Sequence, residues 1–303
     1  MRVAVLSGGV GGARFLRCLV DVVEPTELTV IGNVGDDIDI LGLHVSPDLD
    51  SILYTLAGLS DEERGWGRAE ESWQALESAV TFGGAGWFRL GDRDLGLHLV
   101  RTELLRGGTP LSAVTAQLVE RAGLELALLP ATDDELRTWL DTAAGSFSFQ
   151  EWFVARGHRD EVDAVRYVGA EAATPAPGVT EALRDADLIL IAPSNPYVSI
   201  GPILAVAEIE AALRSRTAPV VAVSPLIGGR AVKGPADRML ARLAGGTSPA
   251  HVASCYAGLI DALVLDEADA HDVENLAVRP VVTKTLMSDA AARRRLAEAV
   301  LAA

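Results

Sequence analysis

The feature that most constrains the fold is an alternation of short apolar runs with segments of helical periodicity. It begins at once, because the apolar run Val3–Leu6 leads into the glycine loop Ser7–Gly12 and then into helical periodicity from about Ala13 to Val22. Strands joined through helices pair in parallel. Further strand-length runs are Leu28–Ile31, Leu124–Leu129, Leu188–Ala192, Val220–Val223, Ala262–Leu265 and Pro280–Lys284. The sequence therefore predicts a Rossmann-like, doubly wound α/β fold with a mostly parallel sheet and a C-terminal helix.

The middle of the chain has a different pattern. From Pro47 to about Leu118 the periodicity is almost wholly helical, so we expect a helical lobe, residues 47–120, inserted into the α/β domain. Phe149–Arg156 and Val162–Val168 have the pattern of a hairpin pair. This pair predicts an antiparallel addition at one edge of the sheet.

Composition limits the classes of partner. The 303 residues carry 42 Asp and Glu against 26 Lys and Arg, a formal net charge of −16. Because a field of that sign repels polyanions, nucleic-acid binding is not expected. A phosphorylated small molecule remains compatible if a divalent cation or local positive groups neutralise it.

The chain also has no run of about 18 apolar residues, so no membrane association is expected. Its two cysteines, Cys18 and Cys255, have neither metal-ligand nor disulfide spacing, which fits a reducing cytoplasm. No repeat or low-complexity linker divides the sequence. Residues 1–303 are therefore expected to form a single α/β domain.

Small polar residues follow four of the expected strands. The loops are Ser7–Gly12, Asn33–Asp37, Pro193–Pro196 and Ser224–Gly229. In an open parallel sheet, ligands bind where the carboxyl ends of the strands meet. A structural turn explains any one of these loops, but four at the same end of a sheet indicate one shared site.

The glycine loop lies between a strand and a helix, where backbone N–H groups favour an anionic phosphate. It does not match the dinucleotide fingerprint, because Arg14 occupies the third glycine position, and it lacks the Gly-Lys-Ser/Thr of a P-loop. Arg14 either pairs with a phosphate or lies on a solvated face. The candidate ligands for phosphate and nucleotide are Gly8, Gly9, Gly11, Gly12, Arg14, Asn33 and Lys233.

Two acidic clusters follow the second strand. Asp36 and Asp37 come directly after it, whereas Asp48 and Asp50 open a helix expected at Ser51–Ala57. Carboxylates at a helix start are often only N-caps, a role as plausible as function for Asp48 alone. One or two carboxylates together with substrate phosphates also form the usual Mg²⁺ site. We therefore take Asp36, Asp37 and Asp48 as candidate metal ligands.

The ordered set of motifs resembles the 2-phospho-L-lactate transferase family of coenzyme F(420) biosynthesis, nearly end to end. The motifs are Ser7–Arg14, Asn33–Asp37, Ser46–Asp50, Gly91–Leu95, Phe149–Glu151, Pro193–Pro196, Ser199–Ile203, Val223–Pro225 and Lys233–Pro235. The first loop, Gly-Gly-Val-Gly-Gly-Ala-Arg, resembles the actinobacterial branch, which uses an enolpyruvyl donor. Archaeal members commonly have Gly-Gly-Thr-Gly-Thr and use a lactyl donor.

The resemblance implies a Mg²⁺-dependent, homodimeric transferase. Its substrates would be the deazaflavin alcohol Fo (7,8-didemethyl-8-hydroxy-5-deazariboflavin) and a guanosine diphosphate-linked three-carbon acid, with GMP released. Asp50 and Arg89 match positions that contact Fo, Asp50 is the expected catalytic residue, and Ser194 and Asn195 are expected to hold substrate hydroxyls. The alternatives are a 2-phospho-L-lactate transferase and a non-catalytic regulator of the same fold that binds nucleotide sugars.

Overall fold

The computed structural model describes residues 1–303, the side chain of Asn275 excepted. The strands are β1 (Val3–Ser7), β2 (Leu28–Gly32), β3 (Ile38–Ile40), β4 (Leu43–Val45), β5 (Ala127–Pro130), β6 (Arg137–Thr142), β7 (Gly145–Ser148), β8 (Val162–Val168), β9 (Leu188–Ile191), β10 (Val220–Val223), β11 (Leu226–Ile227), β12 (Arg230–Ala231), β13 (Ala262–Asp266) and β14 (Arg279–Thr283). The α-helices are α1 (Gly9–Leu19), α2 (Pro47–Leu56), α3 (Gln74–Thr81), α4 (Asp92–Arg106), α5 (Leu111–Arg121), α6 (Val179–Asp185), α7 (Gly201–Leu204), α8 (Ala207–Arg214), α9 (Ala236–Leu243), α10 (Pro249–Ser254) and α11 (Ala290–Leu301). Short 3₁₀ or π helices lie at Pro25–Glu27, Glu151–Ala155, Pro196–Ile200 and Glu267–Asn275.

Seven strands form one parallel sheet in the order β5-β2-β1-β9-β10-β13-β14. From β1 the chain proceeds outward through β2 and β5, and it then returns to add β9 on the other side of β1. The connections that leave β1 and β9 therefore run in opposite directions, which opens a crevice at their carboxyl ends. The predicted Rossmann-like, doubly wound fold is confirmed.

Every residue of β1, β9, β10 and β13 is buried. Helices cover the sheet: α1 packs against α2 and α11, and α6 packs against α8. A strand that is covered on both faces needs apolar side chains in both directions, so it forms a continuous apolar run. For this reason the central strands were visible in the sequence.

The segment expected to be helical contains α2, α3, α4 and α5, but residues 57–73 between α2 and α3 form no helix. An isolated bridge joins Ser60 to Arg68 there. Gly58, Gly65 and Gly67 have φ values of +69°, +78° and +69°, a left-handed conformation that a continuing helix cannot include. The expectation of an almost wholly helical pattern from Pro47 to Leu118 is wrong for this part.

The antiparallel addition is a three-stranded sheet in the order β7-β6-β8. The prediction of a strand at Phe149–Arg156 is wrong, because this segment contains the π-helix Glu151–Ala155. Phe149, Trp152 and Phe153 have helical spacing, and Trp152 is buried in a second core cluster with Leu140, Val162, Val198 and Met239. The strand that pairs with β8 is β6, and β6 was not predicted from the sequence.

The lengths of the helices bear on the expectation that the chain does not span a membrane. Among the described residues, no single helix is long and apolar enough to cross a bilayer. One consecutive pair of helices, Pro196–Leu204 with Ala207–Arg214, reaches the length together, but the pair is bent by 87°.

Cys18 is buried in α1, and burial raises the pKa of its thiol to about 12. Cys18 is therefore packed as a small apolar side chain.

Candidate active site

The glycine loop is a tight turn. Gly8 is the N-cap of α1, with extended backbone, and the helix begins at Gly9, whose φ is +68°. The expected start at about Ala13 is therefore four residues too late. Glycine has low helix propensity, but burial of Phe15 and Leu16 on the inner face of α1 outweighs it. The first N–H groups of α1 have no partner within the helix, which suits an anionic ligand.

Three segments meet at Gly8. A Cβ atom added there would lie 2.7 Å from Oδ2 of Asp48 and 2.9 Å from both Cβ of Asn33 and the carbonyl oxygen of Ser199. The hydroxyl of Ser194 donates to the Gly8 carbonyl oxygen at 2.7 Å. The loops after β1, β2 and β9, three of the four that were expected from the sequence to share a site, therefore converge.

Gly11 and Gly12 face the loop after β9. A Cβ on Gly11 would lie 3.0 Å from the Pro193 carbonyl oxygen, and one on Gly12 would contact the Ser7 hydroxyl and lie 2.7 Å from that of Ser194. Glycine at these positions permits the close approach of α1 to the neighbouring strand. Their role here is to pack the site, and direct phosphate contact by each stays a prediction.

Asn33 links the three segments. Its fully buried side chain donates to Oδ2 of Asp48 at 2.8 Å and to the carbonyl oxygen of Val198 at 3.1 Å, and its Oδ1 accepts from Gly35 N at 2.8 Å. Asn33 therefore fixes Asp48 against the glycine turn, and its predicted role as a nucleotide ligand stays a prediction.

Asp36, Asp37 and Asp48 are buried together beside this turn. Burial, with the charge of Asp48, raises the pKa of Asp36 well above its ordinary value, and burial raises that of Asp48 to about 6. Oδ1 of Asp36 and Oδ1 of Asp37 have no hydrogen-bond partner among the described residues. Buried carboxylates in this condition favour either protonation or a bound cation.

Asp37 is held by β4 and the residue that follows it. Its Oδ2 accepts from the Ser46 hydroxyl at 2.8 Å and lies 3.1 Å from Nε2 of His44. Burial alone would lower the pKa of His44, but the hydrogen bond to Asp37 and the charge of Asp37 raise it. Within the described residues, no three His, Cys, Asp or Glu side chains are arranged to hold a metal ion by themselves.

Asp50 lies on the first turns of α2, two residues after Asp48. Its Oδ2 accepts from Nη1 of Arg101 at 2.9 Å, and its Oδ1 accepts from Nη2 of the same guanidinium. Nδ1 of His98 lies 3.8 Å from Oδ2 of Asp50. Burial lowers the pKa of His98 to about 4, so His98 is neutral at pH 7 and Arg101 is the cation that faces Asp50.

Ser194 and Asn195 differ in position. Ser194 is buried against Gly8, as described above, whereas Asn195 is half-buried. Oδ1 of Asn195 caps the π-helix by accepting from Tyr197 N at 3.0 Å, and its amide lies 3.3 Å from Sδ of Met239. The structure therefore gives Asn195 a local capping contact, and its predicted contact with substrate stays a prediction.

The two predicted phosphate partners with positive charge come together. A Cβ on Gly65 would contact Nζ of Lys233 and lie 3.6 Å from Nη2 of Arg14. Arg14 also lines a cavity of about 330 Å³ between α1, α2 and α11, together with Arg17, Trp66 and Arg293. The loop before Lys233 is held elsewhere, because Gly228 N and Gly229 N donate to Asp269.

Arg89 lies outside the buried acidic group. It is exposed, and its guanidinium is 4.4 Å from the ring centroid of Trp73, which in turn is 6.1 Å from that of Trp66. This stack leads from Arg89 to the wall of the 330 Å³ cavity. Asp36 and Asp37 line a second cavity of about 510 Å³ with Thr138, Trp139 and Gln150.

Several polar residues of the site were not identified from the sequence. They are His44, Ser46, Arg101, Thr138 and Ser199. Ser46 and Ser199 lie within motifs that carry the family resemblance, so membership of those motifs could have identified them. Arg101 had a weaker one: it follows His98 by three residues on α4, so the two share a helix face that is polar where an apolar one is expected.

The sheet order and the cleft between β1 and β9 define a Rossmann-like α/β protein whose glycine turn adjoins buried carboxylates. A family model described as "2-phospho-L-lactate transferase CofD" matches residues 3–301. The chain therefore belongs to this family of transferase enzymes.

Named relatives and a solved structure agree with this membership. The chain is 45% identical to a phosphoenolpyruvate transferase of Streptomyces griseus, over 99% of this chain and 98% of the relative. It is 41% identical to one of Mycobacterium tuberculosis, over 95% and 94%. A UPF0052-family protein of Bacillus halodurans superposes with a TM-score of 0.66 at 19% identity, over 99% and 98% of the two chains. This last likeness shows the fold alone.

Proposed function

We propose that this enzyme transfers the phosphoenolpyruvyl group from enolpyruvyl-diphospho-5'-guanosine to the deazaflavin Fo, giving dehydro coenzyme F(420)-0 and GMP. The terminal hydroxyl oxygen of Fo forms a bond to the phosphorus that carries the enolpyruvyl group. The bond from that phosphorus to the bridging oxygen breaks, GMP leaves with that oxygen, and the hydroxyl proton is released. Atoms and charge balance without any further reactant.

The observation that carries the proposal is the convergence at Gly8. A phosphate-binding turn, a buried carboxylate and the loop after β9 meet within contact distance there. Phosphoryl transfer asks little covalent chemistry of a protein, because positioning and charge stabilisation supply most of the acceleration. The relatives named phosphoenolpyruvate transferase support the same donor.

The donor diphosphate is placed against the N-terminus of α1. Its oxygens would accept from the free N–H groups of the first turn, and Arg14 and Lys233 would neutralise charge from the side of Gly65. Both cations belong to flexible side chains that reach the same loop. This arrangement offsets the repulsion that an acidic protein exerts on an anionic substrate.

The residues present fit a Mg²⁺ ion. Asp36 and Asp37 each have a buried oxygen without a partner among the described residues, and Asp48 lies beside the glycine turn. Mg²⁺ in phosphoryl-transfer sites commonly uses one or two carboxylates, with substrate phosphates and water completing an octahedron. When bound, it would stabilise negative charge on the transferring phosphoryl group.

Asp50 is proposed to orient the hydroxyl of Fo. Because both of its oxygens accept from Arg101, this carboxylate is fixed in direction and keeps lone pairs for one further donor. Arg89 and the neighbouring tryptophans are proposed to contact the deazaflavin ring, since planar cations and indoles stack on aromatic rings. Ser194 and Asn195 complete the proposed substrate contacts.

A 2-phospho-L-lactate transferase is the second candidate, because the family model carries that description. The two donors differ only in the three-carbon acid, so both fit the same phosphate turn. We also propose a homodimer in the cytoplasm. These two properties rest on the family and on the composition described above.

The test is a co-incubation of the protein with Fo, Mg²⁺ and each guanosine-linked donor in turn, read by product mass. We expect the enolpyruvyl product and stoichiometric GMP. Faster formation of the lactyl product would replace the donor and keep the reaction class. Failure to form either product, with tight binding of a uridine-linked sugar, would favour a non-catalytic regulator and overturn the proposed function.

A further inference from the structure

The four buried side chains of helix α4 are all polar, whereas two of its apolar side chains are exposed. Its buried side chains are Asp94, His98, Arg101 and Thr102. Leu99 and Val100, on the opposite side, are 57% and 47% exposed. A surface helix normally has the reverse arrangement, so the inner face of α4 is specialised for polar contacts.

Arg101 makes the strongest of these contacts. Only 1% of it is exposed, and both of its terminal nitrogens donate to the two oxygens of Asp50 on α2. The fork of the guanidinium matches the carboxylate in two parallel hydrogen bonds, which fixes the plane of the carboxylate as well as its position. A lysine, with a point charge, would not fix that plane.

Stability alone does not account for this pair. Two buried charges lose their hydration, and replacement of such a pair by apolar residues of similar size is often neutral or stabilising. Nε of Arg101 has no hydrogen-bond partner among the described residues. The pair therefore retains polar groups at a position where apolar packing would serve the fold equally well.

The same helix supports a second carboxylate of the site. The Thr102 hydroxyl accepts from His44 N at 2.8 Å, and the ring of His44 contacts Asp37. Arg101 thus contacts Asp50 directly, and Thr102 is linked to Asp37 through His44. The inner face of α4 acts as a support for the acidic side of the cleft.

We propose that Arg101 is a positioning residue, which orients the Asp50 carboxylate toward the hydroxyl of Fo. This inference rests on the proposed function. Because Arg101 is 1% exposed and both of its terminal nitrogens face Asp50, it acts through Asp50 on the geometry of the acceptor. Its loss is expected to affect the acceptor and the rate of transfer, and to leave donor binding unchanged.

The test compares Arg101→Lys, Arg101→Met and Asp50→Asn with the control Arg106→Met. Arg106 is an exposed arginine on the same helix that donates to the Gly42 carbonyl oxygen. For each variant, kcat, the KM values for Fo and for the donor, and Tm are measured. We expect Arg101→Lys to keep a Tm close to that of the wild type while kcat falls by about 10- to 100-fold. The control is expected to keep wild-type kinetics.

A double-variant comparison separates positioning from a structural role. In the Asp50→Asn background, Arg101→Lys is expected to lower kcat by less than about twofold, because the carboxylate that it orients is gone. Losses in kcat that simply multiply would overturn the proposal. So would wild-type kcat and KM for Fo in Arg101→Lys, or a rise in the donor KM alone. A wild-type protein that transfers nothing to Fo would overturn the proposed function, and the inference with it.

Discussion

Among single residues, Gly8 is crowded by three different loops of the cleft. Its missing side chain leaves room for Asp48, Asn33 and the Ser199 carbonyl group at once. Two of these neighbours are backbone or fully buried, so they cannot move aside cheaply. The three loops can therefore lie this close together only because residue 8 has no Cβ atom.

Gly8→Ala is expected to lower kcat/KM by about 100-fold or more, because the methyl group would displace Asp48 from the glycine turn. Steady-state kinetics with a thermal melt would check this. The control is Gly96→Ala on α4, where a Cβ meets nothing within 4 Å. That change is expected to stabilise the helix by about 0.5–1 kcal/mol without altering activity. Normal activity in Gly8→Ala would contradict the packing described.

Lys233 tests the donor site at the same scale. It is one of two lysines in the chain, and it reaches Gly65 beside Arg14. Lys233→Ala is expected to raise the KM for the donor by about tenfold through loss of one charge-assisted contact. The matched control is Lys284→Ala, the other exposed lysine. Equal effects of the two substitutions on the donor KM would remove Lys233 from the site.

Among secondary-structure elements, the small sheet β7-β6-β8 depends on Trp152. This side chain is 1% exposed, packs with Leu140 and Val198, and donates from Nε1 to the Asp160 carbonyl oxygen at 3.1 Å. Val198 belongs to the π-helix that follows Asn195. The cluster thus joins the antiparallel sheet to the loop after β9.

Trp152→Ala is expected to lower the free energy of unfolding by about 3–5 kcal/mol, the usual cost of emptying a large core site. Chemical denaturation would measure it. Phe82→Ala is the control, because Phe82 is 89% exposed and a change of less than about 0.5 kcal/mol is expected there. If the two variants lose the same stability, the second core cluster does not stabilise the fold.

The central strands could be predicted from the sequence because each is a short continuous apolar run, such as Val220–Val223. The strand β6, Arg137–Thr142, could not, because only two of its six residues are buried, Thr138 and Leu140, and one of the two is polar. The segment around Trp152 was misassigned for a related reason. Its aromatic residues are typical of a strand, but their spacing is typical of a helix. The helix forms because this spacing places the aromatic side chains in the second core cluster, which the sequence alone does not show.

The site was predictable where chemistry lies next to strand ends in the sequence, as with Asp36 and Ser194. It was not predictable where a partner comes from a distant helix. Arg101 contacts Asp50 only because the fold brings these residues of α4 and α2 together, and nothing in a single sequence records that contact. The same holds for Lys233 and Gly65, which tertiary packing brings together.

Considered as a whole, the molecule is acidic and keeps part of that charge in its interior. The formal net charge is −16, and Asp36, Asp37 and Asp48 are buried. Burial raises the pKa of Asp48 to about 6 from an ordinary value of 3.8. Between these two values Asp48 is protonated in the folded protein and ionised in the unfolded chain, so its contribution to stability falls as pH rises.

In metal-free protein, Tm is therefore expected to fall between about pH 4 and pH 6, and Mg²⁺ is expected to restore more of it at the higher pH. Thermal unfolding with and without MgCl₂ would measure both effects. Asp48→Asn is expected to flatten the pH dependence. The control, Asp141→Asn, changes an exposed carboxylate whose pKa its partner Arg166 lowers to about 2, and the slope should remain. A Tm that rises with pH in this range would contradict the assignment.

The pairing of β1 with β9 has a consequence for biogenesis. Val3 lies opposite Leu188, so more than half of the polypeptide leaves the ribosome before the first strand finds its second neighbour. Until then β1, which is apolar except for Ser7, presents one edge of unpaired backbone N–H and C=O groups, the kind of surface on which nascent chains associate. The crevice at the carboxyl ends of β1 and β9 thus forms only after most of the first 190 residues have been made, and chains truncated before β9 should demand chaperones and accumulate in aggregates.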